Sequence, residues 1–427
     1  MKKLLLKHKV RSGALQFTLF ISVVIALILA GALLLAYTHG VFIQQSKATI
    51  NNIQLADSGI TTLLKQTTLS ADTIALNLPN NTEGQTLKTH LSQWGVFEKA
   101  YVVTTHRNKK FIKCSLLGSS FKSSQRAAVY LQENYNPLAV VGNTRIEGIA
   151  YLPEQGLRPG NISGNSYYGT ELVYGSVKKS TIKLPELTYD YKQNLRYYLE
   201  EYKPQNSESY IALKDKVANS FNDAVKGYYS AEPIILNDVS LSGNLIIRSS
   251  SKITIKKTAL LKDIIIAAPL VEVEDGVTGN FQIIASTTIK IGKKCVLSYP
   301  SALIIIKKES AETPSEDLFY NKIVIDEKST IRGSVCYFSD FIEKNYKVNI
   351  FVSLGSSIKG EIYCEGNLEL KGNVAGSVYT QQFITNEGGT VFLNHLYNAQ
   401  IVSKNLPEAF GGILFKNESK SIMKWLY

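Results

Sequence analysis

Three acidic residues in the distal half of the chain lie close together, at Glu272, Glu274 and Asp275. Polysaccharide lyases and hydrolases need carboxylates that converge on one exposed face, so this cluster is the first place to look for catalysis. In an extended strand, Glu272 and Glu274 would share one face and Asp275 would point to the other. Lysines occur at comparable positions before and after the cluster, so the pattern favours charge pairing over catalysis.

Other motifs of catalysis or cofactor binding are missing from the sequence. There is no phosphate-binding loop, no Gly-x-Gly-x-x-Gly and no Gly-x-Ser-x-Gly nucleophile motif. The histidines form no His-Glu-x-x-His motif and no pair at helical spacing; they are His8, His39, His90, His106 and His395. We therefore expect no metal, no cofactor and no enzymatic activity.

The cysteines are Cys114, Cys295, Cys336 and Cys364, and no two of them form a Cys-x-x-Cys motif. Three of the four lie in runs typical of strands, where a thiol behaves as a small buried apolar group. A disulfide in an oxidising compartment is the alternative, and Cys336 with Cys364 is the candidate pair.

The chain has 427 residues, of which 44% are hydrophobic and 19% are charged, so it can form a large core and is not a disordered chain. Its length predicts about two or three structural units. The formal net charge is +12, but five basic residues lie in the first eleven positions, which contain no acid. Because the excess elsewhere is mild, the charge does not predict nucleic-acid binding.

The first apolar segment is long enough to cross a membrane. Residues 12–46 contain no Asp, Glu, Lys or Arg, and residues 14–37 are almost entirely apolar. A bilayer core requires about 20 such residues in a helix. The basic residues before this segment predict that the amino terminus stays in the cytoplasm and that the rest lies outside it. A cleaved secretory signal is the alternative, with Ala30, Gly31 and Ala32 as a plausible processing site.

An amphipathic pattern continues beyond the apolar segment. Apolar residues recur at spacings close to 3, 4 and 7, at Val41, Ala48, Ile53, Ala56, Ile60, Leu63 and Leu64. The pattern predicts either one helix from about residue 14 to about residue 64, or a short membrane span followed by a separate helix.

The amino-terminal residues resemble the start of a type IV prepilin. The string at residues 12–19 reads SGALQFTL, a basic leader ending in Gly before an apolar helix, and residues 54–59 read QLADSG. The second string is similar to a segment of PilX-type minor pilins and related pseudopilin tip subunits. The resemblance implies cleavage after Gly13, with Ala14 as the first mature residue. Thr18 would then be the fifth, where major pilins carry Glu.

The distal half contains a repeated strand pattern. β-branched runs begin at Leu245, Ile264, Ile283, Ile304 and Ile323, at spacings of 19, 19, 21 and 19 residues. A second, alternating series lies between them, with a period of 18. Two short strands in each period of about 19 residues predict a β-solenoid, in which successive rungs stack at about 4.8 Å.

Stacking the second series predicts two interior columns and one outward column. These are Ile253 over Val271 over Ile289, then Ile255 over Val273 over Ile291, and outward Thr254 over Glu272 over Lys290. Lys257 would lie near Asp275, and Asp275 near Lys293, so that opposite charges meet between rungs. Doubled lysines at 256–257, 293–294 and 307–308 leave a polyanion-binding ridge as the alternative.

Gly-punctuated strands at residues 333–335, 355–362 and 366–378 resemble the rungs of bactofilin-type polymer-forming proteins, which implies self-association. The sequence thus predicts a mainly β fold, with a transmembrane helix, a small α/β connector and a solenoid with a helical insertion. The predicted boundaries are 1–13 for the basic leader, 14–66 for the helix, 67–137 for the connector, 138–186 for the first rungs, 187–230 for a helical insertion or cap, 231–403 for the solenoid and 404–427 for a C-terminal cap.

These features predict a non-enzymatic structural protein of the inner membrane, whose bulk lies outside the cytoplasm and which could join a pilus-like or secretion-type filament. Its expected partners are the lipid bilayer and other pilin-like or envelope assembly proteins. Two alternatives stay open, an anchored scaffold that polymerises through the solenoid ends and a carbohydrate-binding or carbohydrate-active solenoid. For polysaccharide, adjacent tyrosines at 167–168 and 197–198 are the candidate stacking platforms.

Overall fold

A computed structural model describes residues 13–76, 84–106, 109–188, 191–206, 208–213, 216–307, 322–340 and 346–426. The basic leader before Gly13 therefore lies outside the described residues, as does Lys308 of the third lysine doublet. The fold is mainly β, with one long apolar helix at its amino-terminal end.

Helix α1 (Gly13–Lys65) runs without interruption for 53 residues, which confirms the prediction of one helix over the alternative of two. Almost every side chain from residue 13 to residue 40 is exposed, although most are apolar. Buried positions begin at Asn52 and continue to Leu63. Among the described residues, α1 is the helix that is long and apolar enough to cross a membrane.

An antiparallel sheet follows the helix. Its strands in chain order are β1 (Ile74–Leu76), β2 (Gln85–Trp94), β3 (Phe97–His106) and β4 (Lys109–Ser120). Each pairs with the next, and Gly95, with φ of +63°, turns the chain between β2 and β3. These four strands lie within residues 67–137, the segment assigned to the connector.

The remaining elements alternate short strands with turns. Up to residue 201 they are β5 (Ala127–Leu131), β6 (Leu138–Val141), β7 (Arg145–Leu152), β8 (Leu157–Pro159), β9 (Asn161–Ile162), β10 (Asn165–Ser166), β11 (Tyr174–Lys179), α2 (Tyr191–Arg196) and a π-helical turn (Tyr197–Glu201). The next group is β12 (Lys216–Asn219), β13 (Lys226–Ser230), β14 (Ile234–Leu236), β15 (Ser240–Gly243), β16 (Leu245–Ser249), β17 (Lys252–Ile255), β18 (Leu260–Val273), β19 (Thr278–Ile291) and β20 (Val296–Ile306). The last group is β21 (Lys322–Ile325), β22 (Thr330–Phe338), β23 (Ile350–Val352), β24 (Ser357–Leu370), β25 (Asn373–Glu387), β26 (Thr390–Leu393), β27 (His395–Tyr397), β28 (Gln400–Val402), a 3₁₀ turn (Ser403–Asn405), β29 (Gly411–Gly412) and β30 (Lys420–Leu426).

The strands from β12 to β25 pair with one another in parallel, and this connected network also includes β5, β7, β11 and β28 in parallel and β26 antiparallel to β25. We call this network the parallel stack. The three predicted columns are present: Ile253, Val271 and Ile289 are in register, as are the columns that contain Ile255 and Thr254. The interior columns are almost fully buried because alternate residues of each strand point inward.

The order of strands in the parallel stack differs from the order in the sequence. β5 and β28 pair with β25 and with β7, and β11 pairs with β7. Residues 127–179 therefore lie beyond β25, at the opposite end of the stack from β12. Strands of residues 138–186 thus belong to the stack, but at the end next to β25, and the chain crosses to the other end before residue 216.

The crossing segment does not have the form predicted for 187–230. Among its described residues, the helical ones are those of α2 and its π-helical turn, and β12 and β13 are themselves strands of the stack. The helical part packs against outward-facing side chains of the stack: the Tyr191 ring stacks on Phe338 with 6.0 Å between centroids. The guanidinium of Arg248 donates to the carbonyl oxygens of Leu199, Glu200 and Tyr202 at 2.7–2.8 Å. The segment thus covers the flank of the stack, and residues 209–211 also bond in parallel to the outer edge of β13 through the Tyr210–Gly227 bridge.

The C-terminal tail also differs from the predicted solenoid cap. β29 and β30 pair antiparallel with β4, so the last residues complete the sheet that follows α1. Trp425 lies against that sheet, whereas Phe415 packs on the outward face of the stack. The tail therefore connects the two parts of the molecule.

Candidate functional site

The distal part of α1 packs on the antiparallel sheet through small and apolar side chains. Leu55, Ala56, Ile60 and Leu63 form one cluster with sheet residues that include Val102. Gly59 lies at the centre of this contact: a Cβ added there would be 2.9 Å from Val102 Cγ1 and 3.0 Å from Leu87 Cδ1. The QLADSG string thus lies where the helix comes closest to the sheet.

Replacing Gly59 with Leu should push α1 away from β2 and β3. We expect the free energy of unfolding to fall by about 1–3 kcal/mol, partly offset by the better helix propensity of Leu. Urea unfolding of the full chain in detergent micelles measures this change. The matched control is Ser58→Ala, because Ser58 is exposed and contacts only the preceding helical turn through Gln54 O. Equal stability of the Gly59 and Ser58 variants would contradict the packing argument.

Polar contacts also fix the helix on the sheet. The hydroxyl of Thr104 donates to the carbonyl oxygen of Asn52 at 3.2 Å. Asp57 forms an ion pair with Lys113, whose ammonium lies 4.2 Å from the centre of the Trp425 ring. One helical carboxylate is therefore linked through β4 to the C-terminal strand.

A buried ion pair joins the end of α1, strand β3 and strand β30. The ammonium of Lys420 contacts the Glu98 carboxylate at 2.6 and 2.8 Å and donates to the carbonyl oxygen of Gln66 at 2.6 Å. The Lys420 side chain is 6% exposed and that of Glu98 is 0% exposed. A desolvated pair of this kind holds its elements together because either charge alone would be costly in the interior.

Two further contacts fix the antiparallel sheet to the parallel stack. The side-chain amide of Gln282 in β19 accepts from the main-chain amide of Val96 at 3.1 Å and donates to the Trp94 carbonyl oxygen at 2.9 Å. Gln282 therefore binds both sides of the turn between β2 and β3. Lys424 of β30 contacts the carboxylate of Asp263 in β18 at 2.5 and 2.7 Å. The orientation of the stack relative to α1 is therefore fixed by side chains, not by a flexible linker.

A third contact is made through Glu361 of β24. Its carboxylate accepts from the amide of Ile413 at 3.0 Å. Gly412 passes so close that an added Cβ would be 2.0 Å from Glu361 Oε2. Burial raises the pKa of Glu361 to about 7, although the nearby Arg126 guanidinium acts in the opposite direction. Glu361 therefore binds the tail at the end of β29, between the two tail strands that pair with β4.

The carboxylates of the 272–275 cluster are engaged with cations on the outer face of the stack. Lys252 pairs with Glu272 at 2.6 Å, Lys256 pairs with Glu274, and Lys293 pairs with Glu327 at 3.1 Å. The expected contact between Asp275 and the ammonium of Lys293 is replaced by one to the main chain: Asp275 accepts from the Lys293 amide at 2.7 Å. These half-exposed pairs are each worth about 0.2–1 kcal/mol.

All four cysteines are buried free thiols, as the favoured interpretation of their surroundings has it, and the alternative, a disulfide between Cys336 and Cys364, is not formed. The register explains this difference: Cys336 lies beside Tyr363 and Cys364 lies beside Tyr337. Being one position out of register, the two thiols point to opposite faces, with Cys336 in the outer cluster and Cys364 in the interior. Burial raises the pKa of both thiols.

The residues predicted for prepilin-type processing lie at the start of α1. Gly13 is its first residue, Ala14 is exposed, and the Thr18 hydroxyl donates to the carbonyl oxygen of Leu15 at 3.0 Å. Of the tyrosine pairs proposed as sugar platforms, Tyr197 and Tyr198 meet edge to face with 72° between their rings, and Tyr198 is 7% exposed, so they form no flat surface. Tyr168 of the other pair is 60% exposed. In the part of the chain that the structure describes, no cluster of His, Cys, Asp or Glu could hold a metal ion.

Sequence reasoning missed Glu98, Gln282, Glu361 and Lys420. Each is a single polar residue whose partner lies far away in the chain, as with the 322 positions between Glu98 and Lys420. The strand β30 carries too few apolar residues in alternation to stand out as a strand. No local pattern therefore signals these contacts.

No protein-family model and no curated protein matches the sequence. Among solved structures, the competence-associated pilin ComZ from Thermus thermophilus is similar, with 8% sequence identity over 88% of this chain and 97% of that chain. The TM-score is 0.23. Because this value is low, nothing about function is drawn from the likeness.

Proposed function

We propose that this chain is a non-enzymatic structural subunit of the cell envelope, anchored in the inner membrane by α1 and built into a type IV pilus-like or secretion-type filament. The observation that carries the proposal is the division of α1. Its first part is exposed and apolar, whereas its last part, from Asn52 to Leu63, is buried on the antiparallel sheet. A helix of this form can cross a bilayer and still hold a folded domain rigidly at its end.

The proposal includes the β-solenoid expected from the sequence. Its support is the parallel register, in which Ile234, Ile253, Val271 and Ile289 follow one another at intervals of 18 or 19 residues. Parallel pairing at a constant short interval is the pattern of stacked rungs. The solenoid would form an elongated body outside the cytoplasm, in the orientation that the basic leader predicts.

The non-enzymatic part of the proposal is supported by the charge pairs on the stack. Glu272 and Glu274, the best candidates for catalysis in the sequence, each face a lysine ammonium across neighbouring strands. In this arrangement the carboxylates stabilise the stack and are screened from a substrate by cations.

The amino terminus of the native protein tests the filament proposal. We expect intact-mass measurement and amino-terminal sequencing to find a mature chain beginning at Ala14, produced by cleavage after Gly13. A chain beginning at Ala32 or Leu33 would indicate signal peptidase and would overturn the filament proposal. An intact Met1 would also overturn it and would leave a simple membrane anchor.

A further inference from the structure

The charge-free part of α1 is longer than the apolar core of a membrane. From Gly13 to Ser46 the helix contains no Asp, Glu, Lys or Arg, and at 1.5 Å per residue this part is about 50 Å long. A bilayer measures about 40–45 Å with its headgroups, of which about 30 Å is hydrocarbon. A tilt of about 30°, within the range of membrane helices, fits the charge-free part into the full thickness. In the anchored chain, Lys47 would then lie at the outer surface of the headgroups.

Exposed apolar side chains support this position of the membrane surface. Phe42 and Ile43 are 66% and 52% exposed and come just before Lys47. The first residue of α1 that is buried is Asn52. Exposed apolar side chains on a helix suit the boundary between headgroups and acyl chains. The bilayer would therefore reach almost to Lys47, and the antiparallel sheet begins just beyond it.

Strand β3 runs beside α1 in the opposite direction. Thr104 of β3 bonds to Asn52, and Glu98 is linked through Lys420 to Gln66. The positions from Asn52 to Gln66 span about 21 Å at the helical rise. Those from Thr104 back to Glu98 span about 20 Å in a strand. Because these lengths agree, the two elements lie side by side, and the carboxyl end of β3 points toward the membrane.

The turn after β3 brings two lysines to the level of Lys47. His106, the last residue of β3, lies two positions beyond the contact with α1, or about 7 Å closer to the membrane. This distance corresponds to about five residues of α1. Lys109 pairs with His106, and Lys110 follows it on β4. Both lysines are exposed, and neither forms an ion pair with any residue that the structure describes. We call Lys47, Lys109 and Lys110 the basic edge.

The acids closest to the basic edge in the sequence are already paired. Residues 38–56 contain no Asp or Glu, and residues 84–120 contain only Glu98. Asp57 is paired with Lys113, and Glu98 is buried with Lys420. The basic edge therefore keeps its positive charge on the side of the sheet that faces the membrane.

We propose that the basic edge binds anionic phospholipid headgroups in the leaflet from which α1 emerges. The inference rests on the anchoring of α1 in the proposed function and adds a second contact between the protein and the bilayer. Each lysine within a Debye length of a negative surface, about 8–10 Å, favours the bound state about fivefold. A soluble polyanion would lose translational freedom on binding, whereas α1 already holds the bilayer beside these lysines. The observations thus favour lipid.

Fluorescence quenching in lipid nanodiscs tests this proposal on the full chain. A bimane label is placed at Thr86→Cys, because Thr86 is exposed and pairs with Thr105, which pairs with Lys110. The four natural thiols are buried, so the label reacts at the introduced one. The quencher is a phosphatidylcholine with a nitroxide on its headgroup. We expect quenching to be at least about twofold stronger with about 30% phosphatidylglycerol than in phosphatidylcholine alone. Salt at about 1 M should remove this difference.

Lys109→Gln/Lys110→Gln should abolish the dependence of quenching on phosphatidylglycerol while thermal unfolding is unchanged, since both side chains are exposed. The matched control is Lys122→Gln/Lys359→Gln, which removes the same charge at exposed lysines outside the basic edge and should keep the dependence. A second label at Ser124→Cys lies beyond the other end of β4, about 35 Å or more from the turn. It should be quenched weakly in both lipids.

Three results would overturn the proposal. One is equal quenching of the Thr86 label in both lipids, and another is a dependence on phosphatidylglycerol that survives Lys109→Gln/Lys110→Gln. The third is binding of soluble polyglutamate that is lost in this variant, with no lipid dependence, which would assign the lysines to a soluble polyanion. Carbonate extraction from liposomes tests the anchoring separately. Release of the chain would contradict the proposed function, whereas a retained chain without lipid dependence would contradict this inference alone.

Discussion

Replacing Lys420 with Met should lower the free energy of unfolding by about 3–5 kcal/mol, because the Glu98 carboxylate would lose its ammonium partner inside the protein. The removed group contacts Glu98 and the Gln66 carbonyl oxygen, so the end of α1 and strand β30 would both be released from β3. Urea unfolding of the full chain in detergent micelles, followed by circular dichroism, measures the loss.

The matched control for this prediction is Lys416→Met. Lys416 lies four positions before Lys420 and forms an ion pair with Glu186. The side chains of Lys416 and Glu186 are 57% and 65% exposed, whereas those of Lys420 and Glu98 are 6% and 0% exposed. An exposed pair is worth only about 0–1 kcal/mol. The double variant Glu98→Gln/Lys420→Met should recover much of the loss, because no buried charge remains. Equal effects of Lys416→Met and Lys420→Met would show that burial does not govern this contact.

The contacts between the antiparallel sheet and the parallel stack determine how the stack is oriented relative to α1. Gln282, Asp263 and Glu361 lie on three different strands of the stack, β19, β18 and β24. Each contacts a segment of the sheet or of the tail that leads into it. Three separated points of attachment fix one body relative to another. The chain thus presents its stack at a defined angle to α1, which is what the proposed function as a filament subunit requires.

The parts of the fold that sequence reasoning predicted are those with strong local periodicity. Helix α1 has no proline and a continuous apolar character, and the columns of Ile253 and Ile255 follow from alternation combined with an 18-residue interval. Such patterns report which face of an element is buried. They do not report which end of a stack a strand joins.

The wrong predictions concern contacts between distant parts of the chain. β5 and β7 have the composition of stack strands, but their place beside β25 depends on a chain crossing that no local pattern encodes. The tail was predicted to cap the solenoid because it contains aromatic residues. Such residues fit any apolar surface equally well, and the tail pairs with β4 instead. The alternative of a disulfide between Cys336 and Cys364 could not be judged from sequence for a similar reason, because a shift of one residue between neighbouring strands reverses the face to which a side chain points.

Raising the pH from about 5 to about 8 should lower the free energy of unfolding by weakening the contact between Glu361 of the stack and the C-terminal tail. At the higher pH Glu361 must carry a charge in a buried position. Its pKa is about 7 in the folded protein and about 4.3 in an unfolded chain. Between these values the folded state binds more protons than the unfolded state, so stability is greatest below about pH 4.3 and falls as the pH rises through 7. The difference in pKa corresponds to about 4 kcal/mol in all, of which about 3 kcal/mol is lost between pH 5 and pH 8.

Glu361→Gln removes this charge but keeps a side-chain oxygen that can accept from the Ile413 amide. We expect this variant to match the natural chain near pH 5 and to exceed its free energy of unfolding by up to about 3 kcal/mol near pH 8. Glu408→Gln is the matched control, because Glu408 is an exposed carboxylate in the same tail. Urea unfolding of the natural chain and of both variants, all full-length, across this pH range isolates the contribution of Glu361. Burial also raises the pKa of Glu365, but Glu365 is present in all three proteins and its effect cancels in the comparison. A constant difference between Glu361→Gln and the natural chain at every pH would contradict the assignment. If this difference in the free energy of unfolding grows with pH as predicted, the contact of Glu361 with the tail is weaker at alkaline pH. Because Lys420 and Lys424 follow in the same tail, the connection between the stack and α1 is weakened as well.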